Sequence, residues 1–196
     1  MFLNEPPSSD LLHSQYDEDR VADGYVSNHT RLWGWRPEVW AGFFGTRQTL
    51  IAGSSLTPTD VALLNAAAAA ARRSSYCALA WGTRLAGQIG AESAARVLDG
   101  SDAGIGGRET ELANWACRVA TDPTSTTKDD VARLRSVGLT DREIFEATGV
   151  VAMRLAFTAV NDALGALPDA QLAADAPDPV RAAVSYGRAP DDVSST

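Results

Sequence analysis

The stretch LTPTDVALLNAAAAAARR, residues 56 to 73, constrains the fold more than any other part of the chain. Thr57 is an N-cap residue, Pro58 suits the first helical position, and Asp60 falls in the first turn where the helix dipole favours an anion. Alanine has the highest helix propensity, and a run of it lets neighbouring helices approach closely. This is a helix built to be packed against. It is too short and too weakly apolar to span a bilayer.

The rest of the chain reads the same way, with helical periodicity and no alternating strand pattern. Ser74 and Ser75 interrupt the alanine-rich helix, and a second helix is expected from about Tyr76 to Gly87. GAESAARVLDG forms a short helix ending at Gly100. GRETELANWACRVATDP places Leu112, Trp115, Ala116 and Val119 on one face and stops before Pro123. TTKDDVARLRSVG is expected to be capped by Thr126 and closed by Gly138. A long helix starts at a capping box of Thr140 and Glu143 and continues to about Gly165. The expected architecture is all-α: an irregular N-terminal arm over 1–34, a helical bundle over 35–170, and a C-terminal tail over 171–196 with one short helix and a polar end.

Composition narrows the partners. Seventeen Lys+Arg against 25 Asp+Glu give a net charge of −8, which argues against nucleic acid or an anionic membrane as partner. Two cysteines make no secreted disulfide framework. The N-terminal residues show neither a basic segment nor a long apolar run, so a reduced, cytoplasmic protein is expected. The two cysteines and two histidines are not at zinc-ligand spacings, and His13 and His29 read as solvated members of the arm. DGSDAGIGGRE follows no strand and is no nucleotide-binding fingerprint. Neither metal nor cofactor is expected. GLTDREIFEATGVVAMRLAFTAV has the outline of a helix-turn-helix, but its second half carries one arginine among apolar residues and reads as core.

The chemistry then centres on RRSSYCALAWG, residues 72 to 82. A cysteine in the first turn of a helix feels the positive end of the dipole, which favours a thiolate by roughly 0.3–1 kcal/mol. Against that stands the tendency of free cysteines to be buried as small hydrophobes.

The alanine-rich helix leading into Ser74-x-x-Cys77 and Trp81, followed by ELANWACRVATDPTSTTKDDVARLRSVGLTDREIFEATGVVAMRLAFTAVNDALGA, resembles the carboxymuconolactone decarboxylase-like superfamily. Within it, the alkyl hydroperoxidase D-like, peroxidase-related branch is the nearer pattern, over roughly residues 35 to 170. In that family a Cys-x-x-Cys-x-x-x-His motif is served by a glutamate one helix earlier. The second cysteine attacks the peroxide, the first resolves it, and histidine and glutamate relay protons. Here the attacking position is Cys77, the resolving position Ser74, the histidine position Trp81 and the glutamate position about Ala62, with Asp60 two residues off register.

Ser74 cannot form a disulfide, so a sulfenic acid on Cys77 requires another thiol. The Trp81 indole only donates, and Tyr76 donates a hydrogen bond but is a poor base. The site residues expected on this basis are Cys77, Ser74, Tyr76 and Trp81, with Trp81 covering a mostly buried thiol that oxidises slowly. Cys117 reads as a packing residue.

The resemblance implies a peroxiredoxin-type antioxidant that reduces organic hydroperoxides through Cys77 with an external thiol reductant. The alternative is a catalytically degenerate relative that binds small molecules or serves assembly. A decarboxylase, drawing on Ser74, Ser75, Tyr76 and Arg84, is a third reading for which no acid or base can be assigned. Self-association as a dimer or hexamer is expected, with the aromatic stretch 33–44 partly interfacial.

Overall fold

The structure is a computed structural model and describes residues 1–191. Among these residues there is no strand. The helices are α1 (Asp10–Asp23), α2 (Asn28–Trp33), α3 (Pro37–Ala52), α4 (Pro58–Ala71), α5 (Ser75–Ile89), α6 (Ala91–Asp99), α7 (Gly107–Thr121), α8 (Lys128–Ser136), α9 (Asp141–Ala163), α10 (Ala170–Asp175) and α11 (Asp178–Ala183).

The alanine-rich helix is the centre of the bundle. Its start is fixed by a reciprocal cap: Thr57 Oγ1 accepts from the Asp60 N–H at 3.1 Å, and Asp60 Oδ2 accepts from the Thr57 N–H at 2.9 Å. From Asp60 to Ala69 every residue of α4 is buried. A helix buried on all sides needs no amphipathic stripe, which is why this one shows no polar face. Its small side chains let α5, α7 and α9 pack around it. Because α4 lies between α5 and α7, those two helices make little contact with each other.

The chain turns from α4 into α5 over three residues. The Ser74 N–H donates to the Ala69 carbonyl at 3.0 Å, and Arg73 sits at φ 55°, a left-handed conformation uncommon for a residue with a Cβ. The turn sets α4 and α5 side by side as neighbours, and their junction holds Ser74 and Cys77. On the far side of α5, Gly82 allows close approach. A Cβ there would lie 2.6 Å from Leu98 Cδ1 and 3.0 Å from Val180 Cγ1, so any larger residue would force the Leu98 side chain of α6, and to a lesser extent Val180 of α11, to shift.

Several sequence expectations are corrected. Residues 1–34 are not irregular, since they form α1 and α2. Ser9 caps α1 by accepting from the Leu12 N–H at 3.2 Å, Leu12 is buried, and Gln15 Nε2 donates to the Pro37 carbonyl at 2.9 Å. These contacts hold helices whose own sequence is too polar to announce them. The cap of α8 is Thr127, with Asp130 as its reciprocal partner, one residue beyond the expected Thr126. The tail, expected to hold one short helix, carries two, α10 and α11; its polar end beyond residue 191 lies outside the described residues. The would-be helix-turn-helix is one continuous helix, α9.

Candidate functional site

Cys77 is the third residue of α5 and is 1% exposed. Its sulfur receives two hydrogen bonds from α9. Arg154 Nη1 donates at 3.5 Å and Thr158 Oγ1 at 3.4 Å. Arg154 and Thr158 are four residues apart, so they project from one face of α9 and converge on one atom. Neither was anticipated. The arginine interrupts an apolar helix, and a charge in a core position demands a partner. That was the available signal.

Arg154 is itself buried, and its neighbours are unusual. Nε donates to Asn65 Oδ1 at 2.8 Å, and Asn65 Nδ2 in turn donates to the Val61 carbonyl at 2.7 Å. The guanidinium carbon stands 5.0 Å from the Trp81 ring centroid and 4.9 Å from that of Phe157. No carboxylate pairs with it among the described residues. Burial pushes the Arg154 guanidinium below the ordinary arginine range, while the Cys77 sulfur pulls in the opposite direction. Of the polar groups touching Arg154, only the thiol can become an anion, so a thiolate there would make the buried pair neutral.

The expected site residues divide into two groups. Cys77 and Trp81 meet through Arg154, and Trp81, 7% exposed, is also covered by Arg47 at 5.2 Å and Arg84 at 4.9 Å from its centroid. Ser74 and Tyr76 point elsewhere. Ser74 Oγ donates to Asp162 Oδ1 at 3.1 Å, and burial holds the Asp162 carboxyl above the usual range. Tyr76 donates a short hydrogen bond to Asp169 and faces His29. The residue at the glutamate position, Ala62, is buried and inert, and Asp60 is committed to its cap and to Arg108 at 3.2 Å.

His29 is not solvated. It is half-buried, with its ring centroid 5.2 Å from that of Trp40 and 5.5 Å from that of Phe157. The Tyr76 hydroxyl is already spent on Asp169, so His29 Nδ1 donates to the phenol oxygen at 2.7 Å and Nε2 keeps a lone pair. Burial, then the charges of Arg154 and Arg84, lower the His29 pKa to about 3, so the ring is neutral near pH 7. Burial pushes both Tyr76 and Asp169 up, the carboxylate being eased back by the phenol's hydrogen bond. An Asp169–Tyr76–His29 chain therefore stands in this part of the molecule, built from α5, the start of α2 and the segment after α9.

Cys117 belongs to a different place. Its thiol faces the Ala67 carbonyl at 3.8 Å on the α7 side of α4, burial pushes its pKa up, and it is a free thiol, as is Cys77.

No protein-family model matches the sequence, and no curated protein matches it either. Solved structures do match. An uncharacterized peroxidase-related protein from Ralstonia eutropha JMP134, described as an alkylhydroperoxidase AhpD core, superposes with a TM-score of 0.77 at 21% identity, over 87% of this chain and 93% of that one. An uncharacterized peroxidase-related protein from Silicibacter sp. TM1040 gives 0.77 at 17% identity over the same shares of 87% and 93%. A cysteine-to-alanine variant of the debrominase Bmp8, in complex with 2,3,4-tribromopyrrole, gives 0.70 at 15% identity over 88% and 95%. The fold is alkyl hydroperoxidase D-like, as the sequence resemblance implied.

Proposed function

We propose that this chain is a lone-cysteine oxidoreductase of the alkyl hydroperoxidase D-like type, in which Cys77 reduces organic hydroperoxides and an external thiol restores it. One observation carries the reading: the buried guanidinium of Arg154 has no carboxylate and aims an N–H at the Cys77 sulfur. Thr158 adds a second donor. Donors to an anionic sulfur hold negative charge where a nucleophile needs it.

The reaction balances without a cofactor. The Cys77 thiolate attacks one peroxide oxygen, the O–O bond breaks, and the released alkoxide takes up a proton to leave as an alcohol. The resulting sulfenic acid condenses with an external thiol, losing water, and a second thiol displaces Cys77 from the mixed disulfide. Ser74 has no part in resolution, since its hydroxyl is engaged with Asp162.

A second reading is that of a binding or assembly protein without thiol chemistry, and the burial of Cys77 favours it. The decarboxylase reading gains nothing: Ser74, Ser75 and Tyr76 turn to Asp162, the Arg188 carbonyl and Asp169, and converge on no common point. Trapping with dimedone after exposure to tert-butyl hydroperoxide separates the first two. A dimedone adduct on Cys77 supports the oxidoreductase; an unmodified Cys77 supports the binding protein. 2,3,4-Tribromopyrrole belongs in the same assay, because a thiolate that accepts oxygen can also accept bromine.

The same reading has the chain assembling with copies of itself, as a dimer or hexamer. Helix α3 has no buried residue, although it carries Val39, Trp40, Phe43 and Phe44. Light scattering should give a multiple of 20.7 kDa; a monomer at micromolar concentration would contradict it. No helix among the described residues is long and apolar enough to cross a membrane.

A further inference from the structure

Trp81 has a second neighbour besides Arg154: a cavity of about 700 Å³ whose wall it forms, between the end of α3, the start of α4 and the middle of α5. That volume falls within the roughly 300–1,000 Å³ of small-molecule sites. Leu56, Val61 and Ala62 give the cavity an apolar lining, and all three are buried side chains of the core. Arg47 from α3 and Arg84 from α5 line it as well.

The two arginines are the informative part. Neither has an ion pair among the described residues; each rests over the Trp81 ring instead. Several arginines elsewhere find carboxylates, Arg108 on Asp60 and Arg142 on Glu146 for example, while Arg47 and Arg84 line a cavity together without one. Arg154 is a third guanidinium on the same ring. Three cations around one indole repel one another, and both burial and the charges of Arg154 and Arg84 lower the Arg47 pKa to about 10. In a chain of net charge −8, this is a local positive site that no carboxylate among the described residues pairs with.

We propose that this cavity binds a small organic carboxylate, with its apolar body against Leu56, Val61 and Ala62 and its head group between Arg47 and Arg84. Arginine's planar fork suits a carboxylate in two-bonded geometry. The apolar lining selects against inorganic anions, and the arginines select against neutral apolar compounds, so a site with both features discriminates on each. Cys77 does not line the cavity. The site therefore stands whether or not the thiol turns over.

Calorimetric titration of the full chain with octanoate and with 1-octanol tests it. The expected result is octanoate binding at least about tenfold tighter than octanol, with that preference lost in Arg47→Gln/Arg84→Gln. Cys77→Ser should bind octanoate as the wild type does, which separates this site from the peroxidase reading. The single variants Arg47→Gln and Arg84→Gln, checked for wild-type thermal unfolding, provide the readout should the double variant fold poorly; each should weaken octanoate and leave octanol unchanged. Equal affinity for the two probes would overturn the proposal, and so would folded variants that bind octanoate undiminished.

Discussion

Arg154 of α9 directs a guanidinium N–H to the sulfur of Cys77 on α5 at 3.5 Å, inside the bundle and away from any carboxylate among the described residues. The two helices thereby supply a nucleophile and its charge partner from positions 77 residues apart in the chain. Replacing Arg154 with methionine keeps an unbranched apolar stem and removes the donor. A hydrogen bond to a charged group is worth about 1.5–3 kcal/mol, so Arg154→Met should slow alkylation of Cys77 by roughly 10- to 100-fold. Thr158→Val removes a neutral donor worth about 1 kcal/mol, and the expected slowing is about fivefold. Rates with iodoacetamide at pH 7 check both. Arg154→Met should still fold, at a cost of about 1–3 kcal/mol because Asn65 Oδ1 loses its buried donor, and thermal unfolding checks this.

Trp81 is buried against the Arg154 guanidinium that donates to the Cys77 sulfur. Trp81→Ala should open space beside that pair and speed alkylation of Cys77, while lowering stability by about 3–5 kcal/mol, the usual cost of deleting a large buried aromatic. Urea unfolding measures the second effect, and the alkylation rate measures the first. Restoring the family motif with Ser74→Cys and Trp81→His should raise peroxide turnover about tenfold or more, since a positioned general base contributes on that scale.

His29 gives the molecule an acid sensitivity. Its pKa is about 3 in the folded chain, against about 6.5 when unfolded. Between those values the unfolded chain binds a proton that the folded chain refuses. Stability from this group is thus complete above pH 6.5 and is lost as pH falls through 6.5 towards 3. His29→Asn keeps a donor for Tyr76 without the titration. Its melting temperature should fall less than that of the wild type between pH 7 and pH 5, as followed by circular dichroism.

Much of the fold was legible because it is written locally. The caps at Thr57 and Thr140, the alanine run and the glycine after α6 each act within a few residues. Where two local solutions competed, the sequence could not choose: Thr126 and Thr127 each have an aspartate three residues on, at Asp129 and Asp130, and only packing selects the second. The helices α1 and α2 depend on Leu12, Gln15 and Leu32 finding partners in the bundle, which no local pattern reports.

The candidate site was legible in one residue. Cys77 stands out by its position at a helix start and by the family motif around it. Its partners come from elsewhere, with Arg154 and Thr158 from α9 and Asn65 supporting the arginine from α4. The lone arginine in VAMRLAFTAV was visible as an anomaly, but nothing near it names a cysteine as its partner. His29 carried no signal at all. Its place against Trp40, Tyr76 and Phe157 exists only once the arm has docked.

The most direct test is steady-state consumption of tert-butyl hydroperoxide, with dithiothreitol as reductant, by the wild type, Cys77→Ser and Cys117→Ser. If the Cys77 thiol is the nucleophile, turnover disappears in Cys77→Ser and persists in Cys117→Ser. Undiminished turnover in Cys77→Ser would contradict the account, because no other residue has then been given the role of attacking the peroxide.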